Sequence, residues 1–499
     1  MKTAAPTRPQ TGGSRASEGL TARAGRLPAR FDPLWAVLLT FAVTCTRIGT
    51  AQPWRDELAS WRAADRSTGE LVDMLQNVDA VSGAYYLLLQ AWISVFGDSP
   101  AMLRMPSALA MAGAAGFVVL TARRLFDRRT AVFAGVLFAL APAVSKYGQE
   151  ARSYALVVLA ATAATWLLLR ALERPTVLRW LPYAVAVTAS GLFHMISLLF
   201  LVPHGVIVLG RWWGTRFWRL PVSYAVTVVA ALLPLTPLVL LGQRQVARQL
   251  GWVPVPHLRD LGGLWVGLIA SPLVSLALFA AAALPLAWPR GRRQAVELGL
   301  VAVVPIPLAW IVSQGSSSYF IDRYLLFTLP AWVILAAAGL GALRPRRIGV
   351  AGLVLLVALG AADQRQLRTE HAKGGTDGKR VAAVIAEQYK PGDGLVMGSS
   401  RVYMVDLMVE YYLPERAKLK DVFAERSAVA NDDLFPVECS RPVQCLEGTR
   451  RVWVVTSSGT QNPYNQLPPD REKALKDHYK PVATTVVGDL QVTLVERAH

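Results

Sequence analysis

Leu34-Trp35-Ala36-Val37-Leu38-Leu39-Thr40-Phe41-Ala42-Val43-Thr44-Cys45-Thr46-Arg47-Ile48-Gly49-Thr50 runs through Ala51-Gln52-Pro53 into Trp54-Arg55-Asp56-Glu57-Leu58. The first part suits a membrane crossing, since a hydrocarbon core about 30 Å thick takes roughly 20 residues of helix. The second part delivers two adjacent carboxylates to the boundary. An ionised carboxylate is costly in hydrocarbon and cheap in water, so at that depth it has either a chemical task or a local partner. The pair alone is equally compatible with the solvated first turn of a loop helix, and the rest of the chain decides.

Over 499 residues, 53% are hydrophobic and only 17% charged, a balance that marks a multi-pass membrane protein and excludes an ordinary soluble domain. The net charge of +18 would suggest nucleic acid in a soluble chain. Here the arginines stand between apolar segments: Arg123-Arg124, Arg128-Arg129, Arg211 with Arg216 and Arg219, Arg290 with Arg292-Arg293, and Arg344 with Arg346-Arg347. Positive-inside topology produces such spacing, so the bilayer is the expected partner and no nucleic acid is expected. Residues 1–32 are basic and lack an apolar stretch, which reads as a disordered cytoplasmic tail without a cleavable signal peptide.

With each arginine cluster inside, the first span delivers Asp56 outside, and Leu103 to Thr121 returns to Arg123-Arg124. Residues 51–102 then form one large outer loop. Within it, Ala84 to Phe96 is too short to span and reads as an interfacial helix, with Tyr85, Tyr86 and Trp92 suited to the headgroup layer. Further spans are Ala131 to Val144, Tyr154 to Leu169, two short crossings within Leu181 to Gly210, Pro221 to Leu241, and Leu261 to Trp288. Ala295 to Val312, Leu325 to Leu343 and Ile348 to Ala362 follow, giving about eleven spans over a transmembrane domain 33–362 in a mainly α fold. An outer loop carries Arg244, Arg248, Trp252, His257 and Arg259.

Residues 363–499 have the composition of a soluble domain on the outer side. Val381 to Ala386 has a helical pattern, whereas Leu395 to Met397, Arg451 to Thr456 and Ala483 to Val487 read as strands, so a small α/β module is expected. Cys439 and Cys445 lie close together in it. An oxidising compartment favours a disulfide, although two free thiols also fit. Cys45, inside the first span, reads as packing.

The inner loops hold arginine and little else. The outer side collects Asp56, Glu57, Asp79, Arg104, Lys146, Tyr147, Gln149, Glu150, Arg152, Tyr154, His194, Arg323 and Tyr324, which one membrane-level cleft would bring together. Each has a plainer reading. Glu150 and Arg152 suit a local pair at a helix start, Arg104 a snorkelling cation, His194 a packed polar residue, and Asp322-Arg323 a self-satisfying pair.

These residues stand in strings: Asp56-Glu57 after the first span, Asp79 before Tyr85-Tyr86-Leu87-Leu88-Leu89, and Arg104-Met105-Pro106-Ser107-Ala108-Leu109. Tyr147-Gly148-Gln149-Glu150-Ala151-Arg152-Ser153-Tyr154-Ala155-Leu156 and Arg323-Tyr324-Leu325-Leu326 follow. In order and membrane side the set resembles the glycosyltransferase family 39 type of integral membrane enzymes, in the GT-C superfamily, across most of residues 31–362. The chain departs from that pattern at Ala80-Val81-Ser82-Gly83, where many relatives carry His with Pro-Pro or His-Gly, so a histidine-dependent role there is in doubt.

The resemblance implies inverting transfer of a sugar, mannose by analogy, from a polyprenyl-phosphate donor to a hydroxyl on a glycan, lipid or protein. It implies a cell-membrane enzyme with an extracytoplasmic site. Departing phosphate needs Arg or Lys to hold its growing charge, and the attacking hydroxyl needs a carboxylate base. Asp56 is the expected base, with Glu57 orienting the acceptor or tuning its neighbour and Asp79 beside them. Arg323 is the leading phosphate contact, with Tyr324, Lys146, Arg152 and Arg104 as further candidates. Tyr86, Tyr147, Gln149, Glu150 and His194 are expected to line the cleft. No Asp-x-Asp motif of the nucleotide-sugar type stands on an inner loop, in keeping with a lipid-linked donor. No cofactor or metal is expected, although two or three carboxylates with waters suffice to hold a divalent cation. The rival reading is a lipid or lipid-linked sugar flippase, which tends to place its charges at mid-membrane on broken helices.

Overall fold

The computed structural model describes residues 33–288, 291–374, 377–398, 405–414, 417–459, 462–464 and 466–498. The tail 1–32 and Arg290 lie outside these. Among the described residues, seven helices are long and apolar enough to cross a membrane: Pro100–Leu125, Tyr154–Glu173, Met195–Thr215, Arg219–Leu250, Arg292–Val312, Asp322–Ala342 and Arg346–Gln366. The number reaches nine if each of two bent pairs is one crossing. The larger count read from the sequence also takes in Leu34–Cys45 and Val177–Phe193, which are apolar but shorter.

Both bends have local causes. Arg128–Leu140 and Pro142–Gly148 meet at 54°, where Pro142 has no N–H to donate and Ala141 is extended. Asp260–Ile269 and Pro272–Ala287 meet at 100°, across Ala270 at φ +59° and Ser271, whose hydroxyl caps the second helix at Val274 N. One helix corrects the sequence reading: Arg219–Leu250 continues past Leu241, so Arg244 and Arg248 are helical and not in a loop.

The arginine clusters gather at one end of the bundle. Arg129 donates to Gly341 O and Arg346 O at 2.9 and 2.8 Å, Arg211 pairs with Glu297 at 2.7 Å, and Arg124 pairs with Glu173. Pro100–Leu125, about 39 Å long at 1.5 Å per residue, carries Arg123 and Arg124 at that end and Arg104 near the other. At this second end residues 51–102 fold into a helical layer of Arg55–Ala64, Thr68–Asn77 and Gly83–Phe96. Trp61, Leu71, Met74, Tyr85, Tyr86 and Leu89 form its core against Leu103.

The C-terminal residues form an α/β module with strands β1 (Gly394–Met397), β2 (Lys420–Asp421), β3 (Ala424–Arg426), β4 (Val437–Glu438), β5 (Arg451–Ser457), β6 (Tyr479–Val487) and β7 (Leu490–Arg497). The main sheet runs β2-β1-β5-β7-β6, and β3 pairs with β4. Alternation along β5 sends Trp453 and Val455 into one cluster and Val452 and Val454 into the other, so both faces are covered. Cys439 and Cys445 form a disulfide, and Cys45 is free. The module docks on the helical layer, with Leu58 against Leu407 and Met408, Trp61 edge-on to Tyr411, and Arg62 on Glu410 at 2.6 Å.

Candidate active site

Asp56 and Glu57 are consecutive on the helix Arg55–Ala64, and neighbours on a helix point about 100° apart. That rotation separates their environments. Asp56, with Ala59 one turn on, lines a cavity of 710 Å³, and its side chain is 20% exposed. Glu57 turns the other way and is 1% exposed.

Asp79, Arg152, His194, Arg323 and Tyr324 line the same cavity. Arg323 Nη2 is 3.7 Å from Asp56 Oδ2, while its Nε donates to Tyr154 OH at 3.0 Å. The Arg152 and Arg323 guanidiniums each lie 6.0 Å from the Tyr154 ring, within cation–π reach. Asp79 adopts φ +56°, a left-handed conformation that Asp tolerates better than most residues. Its carboxylate accepts from Tyr86 OH, from Ser82 Oγ at 2.9 Å and from Gln249 Nε2 at 3.4 Å. Burial raises the Asp79 pKa, and Arg152 opposes that rise. His194 packs against Tyr324 with ring centroids 4.1 Å apart and the planes inclined at 49°, and burial pushes its pKa down to about 3 with Arg152 and Arg323 repelling a further proton. Its ring is therefore neutral near pH 7.

Other expected residues lie behind the cavity. Arg104 does not line it: Nε and Nη2 donate to Glu57 at 2.8 Å each, and Nη1 donates to Ile48 O and Ala51 O at 2.7 and 2.8 Å. A guanidinium so occupied has no fork left for phosphate. Glu57 likewise does not line the cavity: its oxygens accept from Arg104, Ala151 N at 2.9 Å and Lys373 at 3.0 Å. Burial alone would raise Glu57, but Arg104 and Lys373 bring it to about 2. Lys146 lies 4.9 Å from the Tyr147 ring, also off the cavity lining.

Tyr86, Tyr147, Gln149 and Glu150 support the wall from behind. Tyr86 OH faces Asp79 and lies 3.5 Å from Arg152; Tyr147 OH donates to Gly267 O at 3.3 Å; Gln149 donates to Thr44 O and Thr46 O at 2.7 and 2.9 Å. Glu150 is 4% exposed and burial raises its pKa to about 7, against the pull of Lys373.

Several lining residues escaped the sequence reading. Val239, Gly242, Val246 and Gln249 face the cavity, three or four residues apart, as one helix face requires. Arg248 also lines the cavity and grips Asp433, bringing Leu434 and Phe435 of the C-terminal module to its wall. The polar turn Gln243 to Gln249 was the signal for the helix. Nothing local marked Leu434 or Phe435. Among the described residues, no group of three or more His, Cys, Asp or Glu is arranged to hold a metal ion.

ArnT from Cupriavidus metallidurans bound to undecaprenyl phosphate is similar in structure, with a TM-score of 0.61 at 16% identity over 93% of this chain and 97% of ArnT. The chain has the ArnT-like GT-C fold. ArnT in the apo state is similar to this chain with a TM-score of 0.59, at the same identity and coverage. The apo oligosaccharyltransferase of Archaeoglobus fulgidus is a weaker match, at 0.48 and 11% identity over 91% of this chain and 73% of the other. The family described as dolichyl-phosphate-mannose-protein mannosyltransferase matches residues 83–240. No curated protein sequence matches the chain.

Proposed function

We propose that the chain transfers a sugar from a polyprenyl-phosphate donor to an acceptor hydroxyl, with inversion, at the outer face of the cytoplasmic membrane. The observation that carries this reading is the placement of Asp56 and Arg323, 3.7 Å apart, in one large cavity at the end of the bundle away from the arginine clusters. By the positive-inside rule that end is extracytoplasmic. The undecaprenyl phosphate bound by ArnT, which shares the fold, supports a lipid-phosphate donor, and the matched mannosyltransferase family favours mannose. A membrane carrying cell-envelope glycans, glycolipids or proteins offers the hydroxyl.

Asp56 accepts the acceptor proton as the hydroxyl oxygen attacks the anomeric carbon. The bond from that carbon to phosphate oxygen breaks on the opposite side, and polyprenyl phosphate leaves. Arg323, with Arg152 beside it, holds the growing phosphate charge in a partly desolvated site, where such stabilisation is worth several kcal/mol. Asp79 orients Tyr86 and draws Arg152 into place. Donors for phosphate and one partly exposed carboxylate thus stand within one substrate length.

Reconstitution in liposomes with radiolabelled polyprenyl-phosphate mannose, offered hydroxyl acceptors from envelope extracts, tests the reading. Label passing to an acceptor supports it. Lipid movement across the bilayer without transfer supports the flippase instead.

A further inference from the structure

On the buried side of the helix of Asp56 four ionisable side chains gather: Glu57 of that helix, Glu150, Arg104 and Lys373. Three come from the bundle and its helical layer. Lys373 comes from the segment after the last apolar helix, more than three hundred residues along the chain from Glu57. Its ammonium lies 3.0 Å from Glu57 Oε2 and donates to Gln149 O at 2.5 Å. Burial, with repulsion from Arg104, pushes its pKa down to about 8.

The described residues of that segment are tied to the first helix and to the start of the helical layer. Arg368 donates to Val43 O at 2.9 Å, and Gln52 N donates to Glu370 O at 2.9 Å. Gln52 Nε2 donates to Asp377 Oδ1 at 2.8 Å and its Oε1 accepts from Lys379 N at 3.2 Å. Lys373 is the point where this strap reaches inward to charge. Through Glu57 it touches the residue beside Asp56, and through Gln149 it touches the turn that carries Arg152.

We propose that Lys373 is a positioning residue, and that residues 368–374 and 377–379 act as a strap holding Asp56 and Arg152 at their working separation. The inference rests on the reading of Asp56 as base. Above about pH 7, where Glu150 is ionised along with Glu57, Arg104 alone leaves the cluster one charge short. Lys373 supplies that charge, and its removal forces a buried carboxylate to shift or take up a proton. Displacement of a reacting group by about 1 Å costs on the order of a hundredfold in rate.

The test uses the full chain in nanodiscs, comparing wild type with Lys373→Met, Lys373→Arg and Lys379→Met, the last an exposed cation of the same strap. In Lys373→Met, amide hydrogen exchange accelerates in residues 51–60 and 149–153, while β5 and β7 keep wild-type protection. Lys373→Arg restores most of the protection, and Lys379→Met matches wild type. In turnover of polyprenyl-phosphate mannose, Lys373→Met loses about a hundredfold in kcat with donor KM within about twofold. Unchanged exchange at 51–60, acceleration spread equally over β5 and β7, or a rise in KM with kcat intact would each overturn the proposal. If the wild-type chain transfers no sugar, the transferase reading falls, and the exchange pattern by itself still upholds or overturns the strap.

Discussion

Arg104 clasps Glu57 through Nε and Nη2 at 2.8 Å each, with both side chains 1% exposed. Breaking one partner of a buried pair leaves the other uncompensated, at a cost of about 3–5 kcal/mol. Glu57→Gln is accordingly expected to lower the unfolding midpoint of the solubilised protein sharply, whereas Asp56→Asn, in the partly open cavity, changes it little. Equal midpoints for the two variants would remove the distinction between a scaffold carboxylate and a chemical one.

Arg323 is expected to act on the donor side. Loss of a charge-assisted hydrogen bond is worth about 1.5–3 kcal/mol, so Arg323→Gln should weaken polyprenyl phosphate binding about ten- to a hundredfold. Arg323→Lys should recover only part, because one ammonium cannot serve phosphate and Tyr154 OH in the geometry of a planar fork. Quenching of intrinsic fluorescence by added polyprenyl phosphate measures this, and unchanged affinity in Arg323→Gln would exclude the phosphate role.

Glu150 carries a pH signature of stability. Burial raises it from the ordinary 4.5 to about 7, so between those values the folded chain holds a proton that the unfolded chain has released. Stability from this group therefore falls as pH rises through that window and is lowest above it. Below the window both states are protonated and the group contributes nothing. The stability gain of Glu150→Gln over wild type should grow across the window and level off above about pH 7. Thermal unfolding at several pH values checks this; a gain independent of pH would contradict it.

The bundle was legible because hydropathy acts locally: each expected span lies on an apolar helix, and Pro142 and Pro272 mark the two bends. Asp56, Arg152, His194 and Arg323 were legible as a set because each stands near a span end, and Asp79 because it shares the outer loop that Asp56 opens. Which way a side chain turns was not. Asp56 and Glu57 look alike in sequence, and only the packing of Arg104 and Ala151 against one side of their helix tells scaffold from cavity. Lys373 and Phe435 were hidden for a different reason: their partners lie hundreds of residues away, and no short spacing encodes such contacts.

Asp56 is the centre of the proposed chemistry. In liposomes loaded with radiolabelled polyprenyl-phosphate mannose, Asp56→Asn should bind polyprenyl phosphate like wild type and lose about a hundredfold or more in transfer, as removal of a general base requires. Turnover near the wild-type rate in that variant would contradict the assignment of Asp56 as the base and, with it, the mechanism built on the cavity.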